Sequence, residues 1–335
     1  MTNELLLISL RLVPFLLLAG HALAKPVGRP EKFDWKKNEV VFAFGDSYTY
    51  TQGELGFTNY SWNTFQHLDK HGNVIVGEDP IILNATSAGG PNWIEDVTGC
   101  YSGLPSKCKH SLYNIAFAGA DIDPTKIALH HNFSIDYVTQ IDQWFTYVQP
   151  KIHYKSSNTL AASFIGINDV SDTSKWTNVS FPAFFDGLIS SVFDGLERLH
   201  SAGIKSFLVL NVPPVDHAPG SGGKAALAAN VATYNSILAN YTSAFAANHT
   251  DSNVFYFDTY AYLMTILNDA STYGFKNITS FCPRYDAPDF NTNYAAYGCL
   301  APYEYFWFNS GHITYPVHKL MAGQISEMLE KGATV

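Results

Sequence analysis

Five short, mostly apolar, β-rich runs separated by helical periodicity leave this chain few architectures. The runs cover residues 40–44, 112–118, 160–165, 204–210 and 254–257. Strands that stay apolar on successive residues are buried on both faces, the pattern of a parallel sheet covered by helices. Between and after them, apolar residues recur at helical steps. Ile135, Val138, Ile141, Phe145 and Val148 follow Ser134, a candidate N-cap. Ser180 and Pro182 open a second helix that carries Phe185, Leu188, Val192 and Leu196 and ends at Gly203. Residues 224–245 and 317–329 read as two more. The expectation is a three-layer α/β/α fold on a five-stranded parallel sheet. Segments 51–108 and 273–308 are too long for simple crossovers and read as elaborated loops with short helices.

The N-terminus reads as an export signal. Residues 5–19 are nearly all apolar, and Ala22-Leu23-Ala24 supplies a small-x-small cleavage pattern. Arg11 and Pro14 inside the run argue against a membrane anchor. A cleaved signal at 1–24 leaves one domain over 25–335, exported from the cell. Hydrophobic residues are 47% and charged residues 15%, enough apolar material for a full core. A net charge of −9 disfavours nucleic acid and anionic membrane surfaces as partners. No later stretch is long and apolar enough to span a bilayer.

Export gives meaning to two other features. Asn-X-Ser/Thr acceptors occur at Asn59, Asn84, Asn132, Asn178, Asn240, Asn248 and Asn277, as in a glycosylated surface. The four cysteines, Cys100, Cys108, Cys282 and Cys299, are expected to form two disulfides. Three pairings are open; the local loops Cys100–Cys108 and Cys282–Cys299 are the cheapest. Their spacing matches no zinc pattern, and neither a metal nor a cofactor is expected. The default oligomeric expectation is a monomer.

In open parallel sheets, ligands sit at the C-terminal ends of the strands. The first run leads into Gly45-Asp46-Ser47-Tyr48, the second into Gly119, and the third into Gly166-Ile167-Asn168-Asp169. Asn309-Ser310-Gly311-His312 precedes the last helix. Each piece alone is weak: a turn, a helix cap, one histidine among 12. Together and in order they supply a nucleophile, oxyanion donors and a base, the components of acyl transfer. Asp46 and Asp169 read as local backbone acceptors that shape these loops. Rival motifs fail: there is no Gly-x-Ser-x-Gly elbow, the Gly-rich 220–224 lacks the phosphate-loop pattern, and His130-His131 lacks a third ligand.

The ordered set resembles the SGNH, or GDSL, hydrolase superfamily over most of the mature chain. The resemblance implies a flavodoxin-like sheet, Ser47 as nucleophile and His312 as base. It implies an oxyanion hole of Ser47, Gly119 and Asn168. More narrowly, Gly45-Asp46-Ser47-Tyr48-Thr49, Gly90-Pro91-Asn92-Trp93 and Asn211-Val212-Pro213-Pro214 are similar to fungal secreted acetylesterases of carbohydrate esterase family 16. The implied activity is hydrolysis of short acyl esters, acetyl foremost, on carbohydrates or other small alcohols. A lipase or phospholipase of the same superfamily is the alternative within enzymes. Trp93 and Trp307 are candidate walls for a sugar ring or acyl group, with core packing as their other reading.

The superfamily usually has Asp three residues before the histidine, and here that position is Asn309. An amide can fix the imidazole tautomer but cannot stabilise an imidazolium by charge. In an unrelated serine protease the Asp-to-Asn change costs ~10⁴ in kcat. Three readings follow. Ser47 and His312 act as a dyad oriented by Asn309 or a backbone carbonyl. Alternatively, a carboxylate such as Glu304 or Asp289 folds into the place. Or the protein is a weakly active or inactive carbohydrate-binding relative.

Overall fold

The computed structural model describes residues 33–51, 80–222, 225–332 and 335. The signal segment and Asn59 lie outside the described residues.

Five strands form one parallel sheet: β1 (Val40–Gly45), β2 (Ser111–Asn114), β3 (Thr159–Phe164), β4 (Ser206–Leu210) and β5 (Asn253–Phe257). Their order is β2-β1-β3-β4-β5. The three inner strands β1, β3 and β4 are buried at every residue, as their unbroken runs require. The chain leaves β1 toward β2 and returns to β3 on β1's other side. The sheet therefore reverses its winding between β1 and β3, and a crevice opens at their C-terminal ends.

Helices α1 (Trp93–Thr98), α6 (Thr259–Asn268) and α8 (Tyr315–Lys331) form one packed set. Helices α2 (Tyr137–Gln143), α4 (Phe181–Ser201) and α5 (Ala225–Asn248) pack in succession as a second. Short α3 (Ile167–Asp172) starts directly after β3, and α7 (Phe290–Asn293) sits in the late loop region. A π-type turn over Trp144–Val148 extends α2 and buries Trp144 edge-on against Phe42 of β1.

Two boundaries differ from the sequence reading. The second run stops being a strand at Asn114, whose side-chain amide donates to the Thr49 carbonyl (2.6 Å). Ser134 is not the cap of α2. Asp136 caps it, accepting from the Thr139 N–H at 2.9 Å. Both disulfides are the local pairs, Cys100–Cys108 and Cys282–Cys299. Among the described residues no helix is long and apolar enough to cross a membrane.

Candidate active site

The turn after β1 presents Ser47. Asp46 folds it: its carbonyl accepts from Thr49 N–H and Tyr50 N–H, and its Oδ1 accepts from Tyr48 N–H at 3.0 Å. Gly45 is required just before. Its φ is +151°, and a Cβ there would lie 2.2 Å from the Phe164 carbonyl oxygen of β3. Three buried amides hold the turn from outside. Gln140 of α2 accepts from Gly45 N–H (2.9 Å) and donates to Gly45 O (2.8 Å). Asn92 donates to the carbonyls of Thr49 and Tyr50, and Asn114 donates to Thr49.

His312 arrives from the other end of the chain. Its loop is closed by a bridge between Trp307 and Ile313 and by Phe308 N–H donating to His312 O at 2.7 Å. Tyr48 ties this loop to the serine turn, donating its hydroxyl to Gly311 O at 2.7 Å. His312 Nε2 lies 2.7 Å from Ser47 Oγ, across 265 residues of sequence. On its far side, Nδ1 lies 2.9 Å from Asn309 Oδ1. The backbone N–H groups of Gly311 and His312 also donate to that oxygen, at 3.0 and 2.9 Å. Two fixed donors identify the atom as the amide's oxygen. Nδ1 therefore carries the proton, and Nε2 offers its lone pair to the serine hydroxyl.

Glu304 and Asp289 do not reach His312. Glu304 pairs with Lys276 (2.5 Å), and Asp289 accepts from Tyr297 and Asn293. Burial, with His130 nearby, lowers the His312 pKa to about 4. The imidazole is thus neutral, and able to accept a proton, across the neutral and mildly acidic range.

Asn168 lines the cavity with Ser47 and His312, and Gly119 lies next to Ala120, to whose carbonyl Asn168 donates. Asn168 donates one amide hydrogen to Ala120 O at 2.8 Å, which aims the amide and leaves its second hydrogen for the cavity. Gly119 has φ +77°, and a Cβ there would lie 2.9 Å from Ser134 Oγ and from His131 Cδ2. Among the described residues, the N–H groups of Ser47 and Gly119 donate to no carbonyl. A cavity of about 400 Å³ opens over this centre. Its walls combine Ser171, Ser174, Ser221 and Ser310 with apolar Ile167, Val215, Ala218 and Leu227, and the apolar share is the larger.

Other sequence candidates fall elsewhere. Trp93 is fully buried; it begins α1, and its indole N–H donates to Thr49 Oγ1 at 3.2 Å. Trp307 is fully buried too, with its N–H on Ile278 O at 2.9 Å. Neither lines the cavity, so packing and bracing replace the substrate-wall role expected of them. Asp46 is the local acceptor expected, and Asp169 reaches across the fold as well. Its carboxylate takes the N–H of Ile122, 47 residues away. The acceptors Asn84, Asn132, Asn178, Asn240 and Asn248 are exposed, and Asn277 is half-buried with its amide bonded to Ser280.

Sequence reasoning did not single out Gln140 or the clamping role of Asn92 and Asn114. A buried amide beside an apolar run is the signal that marks them. Among the described residues, one group has close metal-ligating atoms: Glu197, His200 and His249, within 4.8 Å of one another. It sits by the C-termini of α4 and α5, where the chain enters β4 and β5, whereas Ser47 follows the C-terminal end of β1. Lys205 Nζ already lies 2.6 Å from His200 Nε2 there.

The chain is 24% identical over 317 residues to an acetylesterase from Thermothelomyces thermophilus, covering 92% of each. Among solved structures, an acetylxylan esterase from Geobacillus stearothermophilus aligns with TM-score 0.44 and 13% identity, over 89% of this chain and 97% of that one. An alpha/beta hydrolase from a Lake Arreo metagenome aligns with TM-score 0.44 and 13% identity, over 88% and 95%. The family model for GDSL-like lipases and acylhydrolases matches residues 41–320, and the chain belongs to that family of ester hydrolases.

Proposed function

We propose that the protein is an exported serine esterase that removes short acyl groups, acetyl foremost, from hydroxylated substrates such as acetylated carbohydrates. The observation that carries this reading is the 2.7 Å contact between Ser47 Oγ and His312 Nε2, with Nδ1 held by Asn309. Ser47 attacks the ester carbonyl carbon while its proton passes to Nε2. The N–H groups of Ser47 and Gly119 and the amide of Asn168 receive the oxyanion, each donor contributing about 2.7–4 kcal/mol. As the tetrahedral intermediate collapses, the carbon–oxygen bond to the alcohol breaks and His312 returns the proton to the leaving oxygen. Water then repeats the cycle on the acyl-enzyme, releasing the carboxylic acid and Ser47.

Asn309 suits the dyad reading, since it fixes the tautomer and, among the described residues, no carboxylate takes its place. A cavity of about 400 Å³ suits a short acyl group better than a fatty chain, which needs a long apolar trough. Export is supported by the apolar segment at 5–19, the Ala22-Leu23-Ala24 pattern and the two disulfides.

Comparing 4-nitrophenyl acetate with its palmitate ester, in the wild type and in Ser47→Ala, tests the reading. Hydrolysis of the acetate, lost in Ser47→Ala, is expected. Preference for palmitate points to a lipase, and undiminished activity in Ser47→Ala removes the nucleophile assignment.

A further inference from the structure

A second histidine stands in the cavity wall. His130 lines it together with Ser47, Asn168 and His312. Its ring also lies over the oxyanion side, since a Cβ on Gly119 would lie 3.3 Å from His130 Cδ2. Asp172, at the end of α3, holds the ring with Nδ1 to Oδ2 at 2.7 Å. The backbone is pinned as well: His130 N–H donates to the buried Asp121 at 2.7 Å. The His130–Asp172 pair stands at the cavity rim, its side chains 35% and 31% exposed.

We propose that His130, anchored by Asp172, supplies positive charge beside the oxyanion hole, acting through space on that hole and on His312. The inference rests on the esterase reading above. His130 is a positioning residue: it exchanges no proton with substrate.

The usual triad carboxylate stabilises the imidazolium half of the charge-separated transition state. Asn309 cannot. A cation beside Gly119 acts on the other half, the oxyanion, by its charge; with the ring 35% exposed, water weakens that field without removing it. The same cation disfavours protonation of His312, a like charge depressing its neighbour's pKa. His312 accordingly stays a free base in mild acid, the range in which His130 is charged.

The groups facing His130 favour that charge. Asp172 touches it from α3, Asp121 faces it from the loop after β2, and Asp46 from the turn after β1. All three raise its pKa above the ordinary histidine value, Asp172 most, against the effect of burial. Burial pushes Asp46 and Asp121 each up to about 7, so their charge is already diminished in mild acid, where direct contact with Asp172 remains. His131 packs on its ring at 4.4 Å, and Lys175 lines the same cavity.

The test compares kcat/KM for 4-nitrophenyl acetate from pH 3.5 to 9 in wild type, His130→Gln and Asp172→Asn, following acid release in a pH-stat. In the wild type a basic limb set by His130 accompanies the acidic limb set by His312. His130→Gln is expected to flatten the basic limb, to lower kcat about tenfold near pH 6, and to move the acidic limb up by about 0.5–1 unit. Asp172→Asn is expected to move the basic limb to lower pH. A purely structural role would lower activity at all pH values alike and leave both limbs in place; that result overturns the proposal.

A second readout needs no turnover. The His312 imidazole is titrated by NMR in Ser47→Ala with and without His130→Gln. An unchanged His312 pKa overturns the proposal, whereas a rise upholds it even if the wild type hydrolyses no ester. Absent hydrolysis with a shifted His312 counts against the esterase reading alone.

Discussion

Asn309 Oδ1 accepts from His312 Nδ1 at 2.9 Å while also binding two backbone N–H groups of the same loop. One neutral oxygen thus sets the ring's tautomer and the shape of the turn that carries it. Separating these duties gives a first prediction. Asn309→Ala removes both, and kcat on an acetyl ester should fall about 100-fold or more. Asn309→Asp keeps every acceptor bond and adds a negative charge next to Nδ1–H. Its kcat near pH 8 should rise about tenfold, and its acidic limb should move up, because a carboxylate favours the imidazolium. Steady-state rates of the two variants between pH 4 and 9 check this; equal losses in both would mean that Asn309 acts only on loop shape.

Asn168 gives a second prediction. One of its amide hydrogens is already spent on Ala120 O, so the side chain is aimed before substrate arrives. Asn168→Ala should lower kcat by about 10²–10³ with KM nearly unchanged, as for a donor used chiefly in the transition state. Asn168→Asp should be at least as damaging, since it places a negative charge against the forming oxyanion. A rise in KM at constant kcat would move Asn168 to substrate binding.

Stability should depend on pH with an uncommon sign. Burial raises Asp46 to about 7 and Glu95 to about 8, from ordinary values of 3.8 and 4.5. Asp121 is raised too, chiefly by burial. A carboxyl whose folded pKa is raised binds protons more tightly in the folded state than in the unfolded one. Its contribution is present at low pH and is lost as pH rises through the folded pKa. Burial lowers His312 to about 4 and His318 to about 3, which acts oppositely below the ordinary histidine value of 6.5. Between pH 8 and 6.5 the raised carboxyls dominate. Acidification across that window should therefore raise Tm, and below it the two effects offset each other. Glu95→Gln, with an uncharged side chain on the same bond, should reduce the slope. Thermal unfolding by circular dichroism at half-unit steps reads it directly.

The sheet was legible because burial on both faces leaves no room for polar residues in its inner strands. Ser47, Asn168 and His312 were legible because each sits at a chain position the topology sends to the crevice. What escaped depends on distance in space rather than spacing in sequence. The apolar period from Ile135 to Val148 marks a helix, but not that Gln140 within it turns its amide onto Gly45, 95 residues earlier. Trp93 and Trp307 have the composition of a sugar platform, and only the packing around them shows both rings enclosed. Ser134 and Asp136 are both acceptable caps by type; the helix takes the one whose carboxylate meets Thr139 N–H.

Gln140 carries the last prediction. Its amide makes two complementary bonds with the backbone of Gly45, and its Nε2 also donates to Ile135 O at 3.0 Å. The side chain is fully buried, so no water is at hand to replace it. Gln140→Leu conserves approximate size and removes the acceptor for the Gly45 N–H. An unmet buried backbone group costs about 1–3 kcal/mol. With the other two bonds lost as well, the variant should lose roughly 2–4 kcal/mol, a Tm drop of about 5–10 °C. Because Gly45 is two residues before Ser47, kcat should also fall at temperatures where the variant remains folded, with KM changed little. A Tm drop with unaltered kcat would mean that the amide supports the sheet without setting the serine turn. Unaltered Tm would mean that the Gly45 N–H finds another acceptor, and neither outcome is compatible with Gln140 fixing the nucleophile's position.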